Sequence, residues 1–412
     1  KFRLTSLERN WILYDVGNSA FVLMVATLIP IFFNALAAAG GLSSVEYLAY
    51  WGYASSAVTI ITAVLSPILG TVADTKGFKK PIFILCVFVG IVGCCAMGAV
   101  SAWLPFLVIF VIAKVGFSGS LVFYDSMLSD VTTPERMDEV SSRGYAWGYI
   151  GSCVPFVVCL GLVLGAGSIG ISQMTALNLA LLLTAAWWLL TTLPLLKSYK
   201  QLYYVEVEKH AVRQSFARIG HTLRHLPEDK QVFWFLLAFF CYIDGVYTII
   251  DMATAYGTAL GLDTTGLLLA LLVTQIVAFP SALIFGRLSN KYPSAKLIPV
   301  CIAAYAGIAV FAFFLTRQWQ FWVLAVIVGM FQGGVQALSR SHFAKIIPPE
   351  KSGEYFGLFD ICGKGASFLG TMIVSVGSQL TGSANVGVGS LIVLFIVGFV
   401  LFRVSCRQSE TA

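Results

Sequence analysis

The sequence predicts an all-α membrane protein in which twelve transmembrane helices form two pseudo-symmetric six-helix bundles. Three observations carry that expectation. The chain is 58% hydrophobic and only 11% charged, where an average soluble domain carries about 25% charged residues. Its apolar residues collect in long continuous runs, and a helix needs about 20 such residues to cross hydrocarbon. Lysine and arginine are confined almost wholly to alternate connections. Continuous runs also exclude an outer-membrane barrel, whose strands alternate polar and apolar residues.

In order, the spans are expected at 11–35, 47–73, 81–101, 105–128, 144–167, 174–196, 231–256, 264–286, 297–316, 319–344, 355–380 and 387–405. The first run is too long for a cleavable signal peptide and lacks a small-residue cleavage site. An even number of spans puts both termini on one side. Of the 26 lysines and arginines, 22 lie in the termini and connections of that side. Arg317 alone lies on the other, and Lys114, Arg340 and Lys364 lie within spans. Positive connections stay inside, so both termini are expected in the cytoplasm. The same asymmetry explains the net charge of +6 without a nucleic-acid partner. Nine cysteines, eight of them inside apolar runs and none in a zinc-like set, read as small packing residues.

The polar stretch 197–230 separates a first six-helix bundle (1–196) from a second (231–412). It holds His210, His221 and His225. These could make a metal site, but a solvated linker with an amphipathic helix on the membrane surface is the expected reading.

The two halves echo each other. "GTVADTKGFKK" (70–80) follows span two and "GRLSNKYPSAK" (286–296) follows span eight. Asp74 is matched there by Asn290. "TPERMDEV" (133–140) and "PPEKSGEY" (348–355) follow spans four and ten, and in that register Asp125 meets Arg340. Spans one and seven carry "YDVG" (14–17) and "YIDG" (242–245). Repeats of this kind build transporters around an axis along the membrane normal.

The loop 70–80 resembles the signature loop of the major facilitator superfamily, with Gly70, Asp74, Gly77, Lys79 and Lys80 on the pattern. Gly70 permits close helix packing, Asp74 can cap a helix N-terminus or meet a cation, and Gly77 permits a tight turn. "ERNWILYDVGNSAF" (8–21) and "GGVQALSRSHFAKIIPPEKSGEYFGLFDICGKGASFLG" (333–370) resemble a bacterial branch of that superfamily. This branch is related to the fungal vacuolar amino-acid effluxers of autophagy. The resemblance implies the major facilitator fold, alternating access, export or exchange of small solutes, and residence in a bacterial inner membrane. It also implies that spans one, four, seven and ten enclose the central cavity.

A charge at the bilayer centre costs about 2.5–3.5 kcal/mol on insertion scales, so charges within spans are functional candidates. They are Asp15, Lys114, Asp125, Asp244, Asp251, Arg340, Asp360 and Lys364. Asp125 and Arg340, near one end of their spans, are read as a gate pair or as two independent interfacial charges. Lys114, Asp244 and Asp251 lie deeper and suit substrate or proton binding, or else a structural ion pair. Asp15 suits gate or cavity. Asn18, Gln332 and Gln336 could bind solute or join helices. Asp360 and Lys364, four residues apart, share a helix face and read as a local pair. Tyr145, Trp147 and Tyr149 line a gate or simply pack.

No nucleophile elbow, HExxH or phosphate loop is present, so no enzyme, cofactor or ATP-driven pump is expected. The expected function is secondary transport of a small polar organic solute, with proton coupling. Cavity charges of both signs favour an amino acid or peptide. Sugars, organic anions, drugs or flipped lipids are the alternatives. Solute, membrane lipids and protons are the expected partners of a monomer.

Overall fold

The computed structural model describes residues 2–206, 211–259, 261 and 263–410. Each of the twelve predicted runs falls on helix. The first half contains α1 (Ser6–Ala26), α2 (Leu28–Ala39), α3 (Ser44–Ala73), α4 (Lys79–Met97), α5 (Trp103–Ser126), the short α6 (Leu128–Val131), α7 (Met137–Leu164) and α8 (Gln173–Ser198). The linker carries α9 (Ala211–His225). The second half contains α10 (Lys230–Ala259), α11 (Thr264–Leu288), α12 (Ser294–Phe313), α13 (Gln318–Ile346), α14 (Ser352–Thr381), α15 (Ala384–Gly389) and α16 (Ile392–Glu410). Eleven stretches among the described residues are long and apolar enough to cross a membrane, α1 and α2 counting as one. The remaining predicted run, 355–380, is α14, 30 residues long.

Local sequence sets the helix ends. Thr5 and Glu8 form a reciprocal capping box at α1, with Glu8 Oε2 accepting the Thr5 N–H at 2.8 Å. Ser43 and Glu46 do the same at α3, and both boxes satisfy amide groups that a helix start leaves free. The first span is broken at Thr27, whose backbone leaves the helical region at φ −131, ψ −75. Pro30 has no N–H for the Ala26 carbonyl, so the ladder cannot close there.

The spans are apolar on all sides because their outer faces meet lipid. Phe88, Val154, Leu190 and Val393 are all more than half exposed, which water would not tolerate at this density.

The helices gather in two groups. In the first, α1 lies against α7 and α8, and α4 against α5 and α8. In the second, α10 lies against α14 and α16, and α12 against α13 and α16. The groups meet along α3–α14 and α7–α11. Those pairs exchange under the sequence repeat, because spans two and five correspond to spans eight and eleven. Each group also ties its first helix to its fourth by a tyrosine. Tyr14 Oη lies 2.5 Å from Ser120 Oγ, and Tyr242 Oη lies 2.6 Å from Ser339 Oγ.

Candidate functional site: a closed basic face

Among the described residues, a series of inter-group hydrogen bonds and ion pairs lies between the membrane middle and the face that holds the termini and basic loops. They form three tiers.

The innermost tier is built on Arg340. It is a buried guanidinium, 2% exposed, presented by α13. Its Nη1 lies 3.0 Å from Asp125 Oδ1 on α5 and 3.5 Å from Asp15 Oδ2 on α1. Its Nε and Nη2 donate to Ser141 Oγ and O on α7 at 2.9 and 3.0 Å. The cation sits over the rings of Tyr145 and Trp11, at 4.3 and 4.7 Å from their centroids. Five donors in a rigid fork suit arginine, and not lysine, to such a site. Three elements of one half thus converge on one cation of the other. Ser141 Oγ also donates to the Ala337 carbonyl at 2.7 Å. Asn18 Nδ2 donates to the Tyr14 carbonyl at 3.0 Å and reaches Asp15 Oδ1 at 3.5 Å.

The second tier ties α7 to α11 and α13. Asp138 accepts from Ser341 Oγ at 2.5 Å and from Lys345 Nζ at 2.6 Å. Glu139 accepts from Arg143 at 2.6 Å and from Asn290 Nδ2 at 2.6 Å. Asn290 is the residue that replaces a carboxylate in the second-half loop. Here it donates across to the first half.

The third tier is the signature loop. Asp74 ends α3 and accepts the Gly353 and Glu354 N–H groups, the first turn of α14, at 2.7 and 2.8 Å. Carboxylates are favoured at helix starts, where amide donors and the dipole both face outward. Lys79 Nζ lies 3.6 Å from Asp74 and 3.7 Å from Asp130, and donates to Ser352 Oγ at 2.8 Å. Burial pushes the Asp74 carboxyl up to about 6, against the pull of Lys79 and the two amide bonds. The approach of α3 to α14 depends on Gly70 and Gly353. A Cβ on Gly70 would overlap the Gly353 carbonyl. Gly77, at φ +79, turns the loop, and Lys80 Nζ reaches the Tyr199 carbonyl at 3.5 Å.

The linker closes over this loop. Tyr199 Oη donates to Asp130 Oδ2 at 2.6 Å, and the Leu202 and Tyr203 N–H groups donate to Asp130 Oδ1 at 3.0 Å. Thr75 and Val205 form an isolated parallel bridge.

Asp244 lies apart from these tiers, fully buried on α10. Its Oδ1 accepts from Gly370 N at 2.8 Å and Thr248 Oγ1 at 3.2 Å. Its Oδ2 is buried without a hydrogen-bond partner. Thr248 and Gln332 line a cleft between α10, α11 and α13, with Thr274, Gln275 and Tyr256 as its other polar groups. Asp251, two turns beyond Asp244, is exposed. Lys114 is half-buried, with its ammonium 4.7 Å from the Phe117 ring centroid.

The sequence candidates therefore divide. Asp15, Asp125 and Arg340 come together, with Asn18 beside them. Gln336 Oε1 lies 3.5 Å from Tyr149 Oη. Gln332 and Asp244 lie deeper. Asp360, expected beside Lys364, accepts from Ser66 Oγ across the α3–α14 contact at 2.7 Å. The Lys364 side chain and His210 lie outside the described residues. His221 and His225 stack on α9 with centroids 4.0 Å apart, and no group of three metal-ligating side chains occurs among the described residues. Sequence reasoning missed Asp130, Asp138, Glu139, Ser141 and Ser352. "TPERMDEV" recurs after span ten as "PPEKSGEY", and that recurrence was the available signal for the two carboxylates of α7.

Comparison with known proteins places this geometry in a wider group. The family described as "Vacuole effluxer Atg22 like" matches residues 6–411. The chain is 42% identical to the "Uncharacterized MFS-type transporter YxiO" of Bacillus subtilis (strain 168), over 99% of this chain and 97% of that one. It is 25% identical to "Autophagy-related protein 22" of Coccidioides immitis, over 66% of this chain. The match spans 51% of that fungal protein's length. Among solved structures, the human organic anion transporter MFSD10 (TETRAN) aligns at TM-score 0.75 and 14% identity, over 96% of this chain and 98% of that one. FucP in its outward conformation aligns at TM-score 0.71 and 16% identity, over 97% of each chain. At such identities the likeness is one of fold.

Proposed function

This chain belongs to the Atg22-like vacuole effluxer family of major facilitator transporters, and on that premise we propose that it carries a small polar organic solute, an amino acid or short peptide, by proton-coupled alternating access. The observation that carries the reading is Arg340, bound to Asp15, Asp125 and Ser141 of the opposite half. A buried cation shared between two bodies holds them together in one state and must be released in the other. The tiers around it all seal one face, which supports an outward-open state with the basic, cytoplasmic face shut. The halves 1–196 and 231–412 act as the two rocking bodies, joined by 197–230. The basic loops support cytoplasmic termini in a bacterial inner membrane.

Asp244 is the proposed proton carrier. It is a desolvated carboxylate with one oxygen unpaired, and no basic side chain pairs with it among the described residues. An intramembrane carboxylate facing a cavity is the usual site of proton coupling in transporters, and proton binding there is proposed to accompany the conformational change. Solute contacts are assigned to Gln332, Gln336, Lys114 and Asp251. Arg340 lies near enough to meet a solute carboxylate once its partners part.

Flux into proteoliposomes tests this, using labelled amino acids and dipeptides with and without a pH gradient. Sugars, organic anions and fluorescent lipids form the comparison arms. Uptake of one solute class, enhanced by the gradient and abolished by Arg340→Met, is expected. Accumulation confined to a comparison arm overturns the solute assignment, and gradient-independent uptake overturns the coupling.

A further inference from the structure

Helix α9 has two unlike faces and only one is occupied by protein. Ser215, Ile219 and Thr222 are 1%, 8% and 5% exposed, and they lie on one side at helical spacing. That side rests on α3, where Arg218 Nη2 donates to the Thr71 carbonyl. Phe216 and Leu223, seven residues apart, are 53% and 52% exposed and share a second face. At 100° per residue, Arg213 and Arg224 fall on the sector next to that pair and away from α3. Both arginines are exposed. The helix holds three arginines and no carboxylate. Arg218 keeps Nε and Nη1 buried without an acceptor, so the protein side supplies less negative charge than the helix brings.

Position decides what covers the free face. Thr71 is two residues from the end of a membrane-spanning helix, which sets α9 at the depth where headgroups begin. In bulk water an exposed phenylalanine and leucine beside two arginines have no reason to share a sector. At a membrane surface the apolar pair enters the acyl boundary and the guanidiniums meet phosphates.

We propose that α9 is an interfacial helix that docks on anionic lipid, with Phe216 and Leu223 inserted and Arg213 and Arg224 on the headgroup phosphates. The proposal rests on the helices spanning a bilayer and not on solute or coupling. Because α9 also holds α3 one turn from Asp74, the lipid surface steadies the face that carries the signature loop.

The test uses the full-length chain in nanodiscs of pure phosphatidylcholine or of phosphatidylcholine with phosphatidylglycerol. Hydrogen exchange is followed over 211–225. Exchange slower by roughly thirtyfold in the anionic discs is expected, an effect of the size two arginines produce near an anionic surface. High salt and the double variant Arg213→Gln/Arg224→Gln each remove it. A nitroxide at Phe216→Cys is expected to be shielded from a water-soluble relaxation agent and accessible to oxygen. Both arginines are exposed, so the variant folds, and thermal unfolding of the spans checks this. Equal exchange in the two lipids, or a slowing that survives the double variant, overturns the charge recognition. A nitroxide fully open to the water-soluble agent overturns the insertion.

Discussion

Asp125 of α5 and Asp15 of α1 share one cation, Arg340 of α13, at 3.0 and 3.5 Å. In the repeat, Asp125 and Arg340 occupy equivalent positions. The two halves therefore contribute opposite charges to one cluster, and one set of contacts ties them together at the basic face.

Replacing Arg340 by methionine leaves the buried Asp15 and the partly buried Asp125 without their cation. Losing one partner of a buried ion pair costs about 3–5 kcal/mol, here charged against the closed state. Cysteine labelling from the basic face is expected to rise and flux to fall at least tenfold. Arg340→Lys keeps the charge but not the fork and is expected to restore only part of the flux. The exchange Asp125→Arg/Arg340→Asp should recover closure that either single change loses. If the double variant is no better than the singles, the pairing is not what shuts the face.

Asp74 makes closure pH-dependent. Burial raises its carboxyl from the ordinary 3.8 to about 6 in the closed state. Parting α3 from α14 returns it to water and to its ordinary value. The closed state therefore binds the extra proton between those two values. Its advantage is present at low pH and is lost as pH rises through about 6, by at most about 3 kcal/mol. The groups facing Asp74 are Lys79, Asp130, Glu354 and the Tyr199 hydroxyl. Labelling from the basic face should increase from pH 5 to pH 7 in the wild type. Asp74→Asn should flatten that dependence.

Asp244→Asn separates coupling from movement. Accumulation driven by a pH gradient is expected to disappear, while solute exchange across the same vesicles continues. Loss of both would assign Asp244 to helix packing through Gly370 and Thr248 instead.

Gly70→Ala forces a methyl into the Gly353 carbonyl. Overpacking of this kind costs about 1–3 kcal/mol, borne by the closed face alone. Flux from the basic side is expected to change little while opposite-side solute access drops.

The spans were legible because a continuous apolar run has one cheap solution in lipid. The charges within them were legible for the converse reason: hydrocarbon makes each of Asp15, Asp125 and Arg340 costly, so each needs a function or a partner. That all three share one cluster required helix positions that no local pattern encodes. Asp130, Asp138 and Glu139 escaped notice because they lie in or beside a polar loop, where a carboxylate costs nothing until another half covers it. Helical spacing puts Asp360 near Lys364 but cannot see its bond from Ser66, on a helix almost 300 residues away in sequence. The break at Thr27 was also missed, since Pro30 is tolerated inside many spans.

The central claim is that one face shuts around Arg340 while the other stands open, and that the two exchange. Pulsed electron-spin distances test it on one sample set. One label pair sits at Glu135→Cys and Tyr292→Cys on the basic face, and the other at Gly167→Cys and Asp263→Cys on the opposite face. The wild type is expected to give a short, narrow distribution on the basic face and a longer, broader one opposite. Arg340→Met should lengthen the first and shorten the second. Distances that stay fixed in the variant, or that change in the same direction on both faces, would contradict the account.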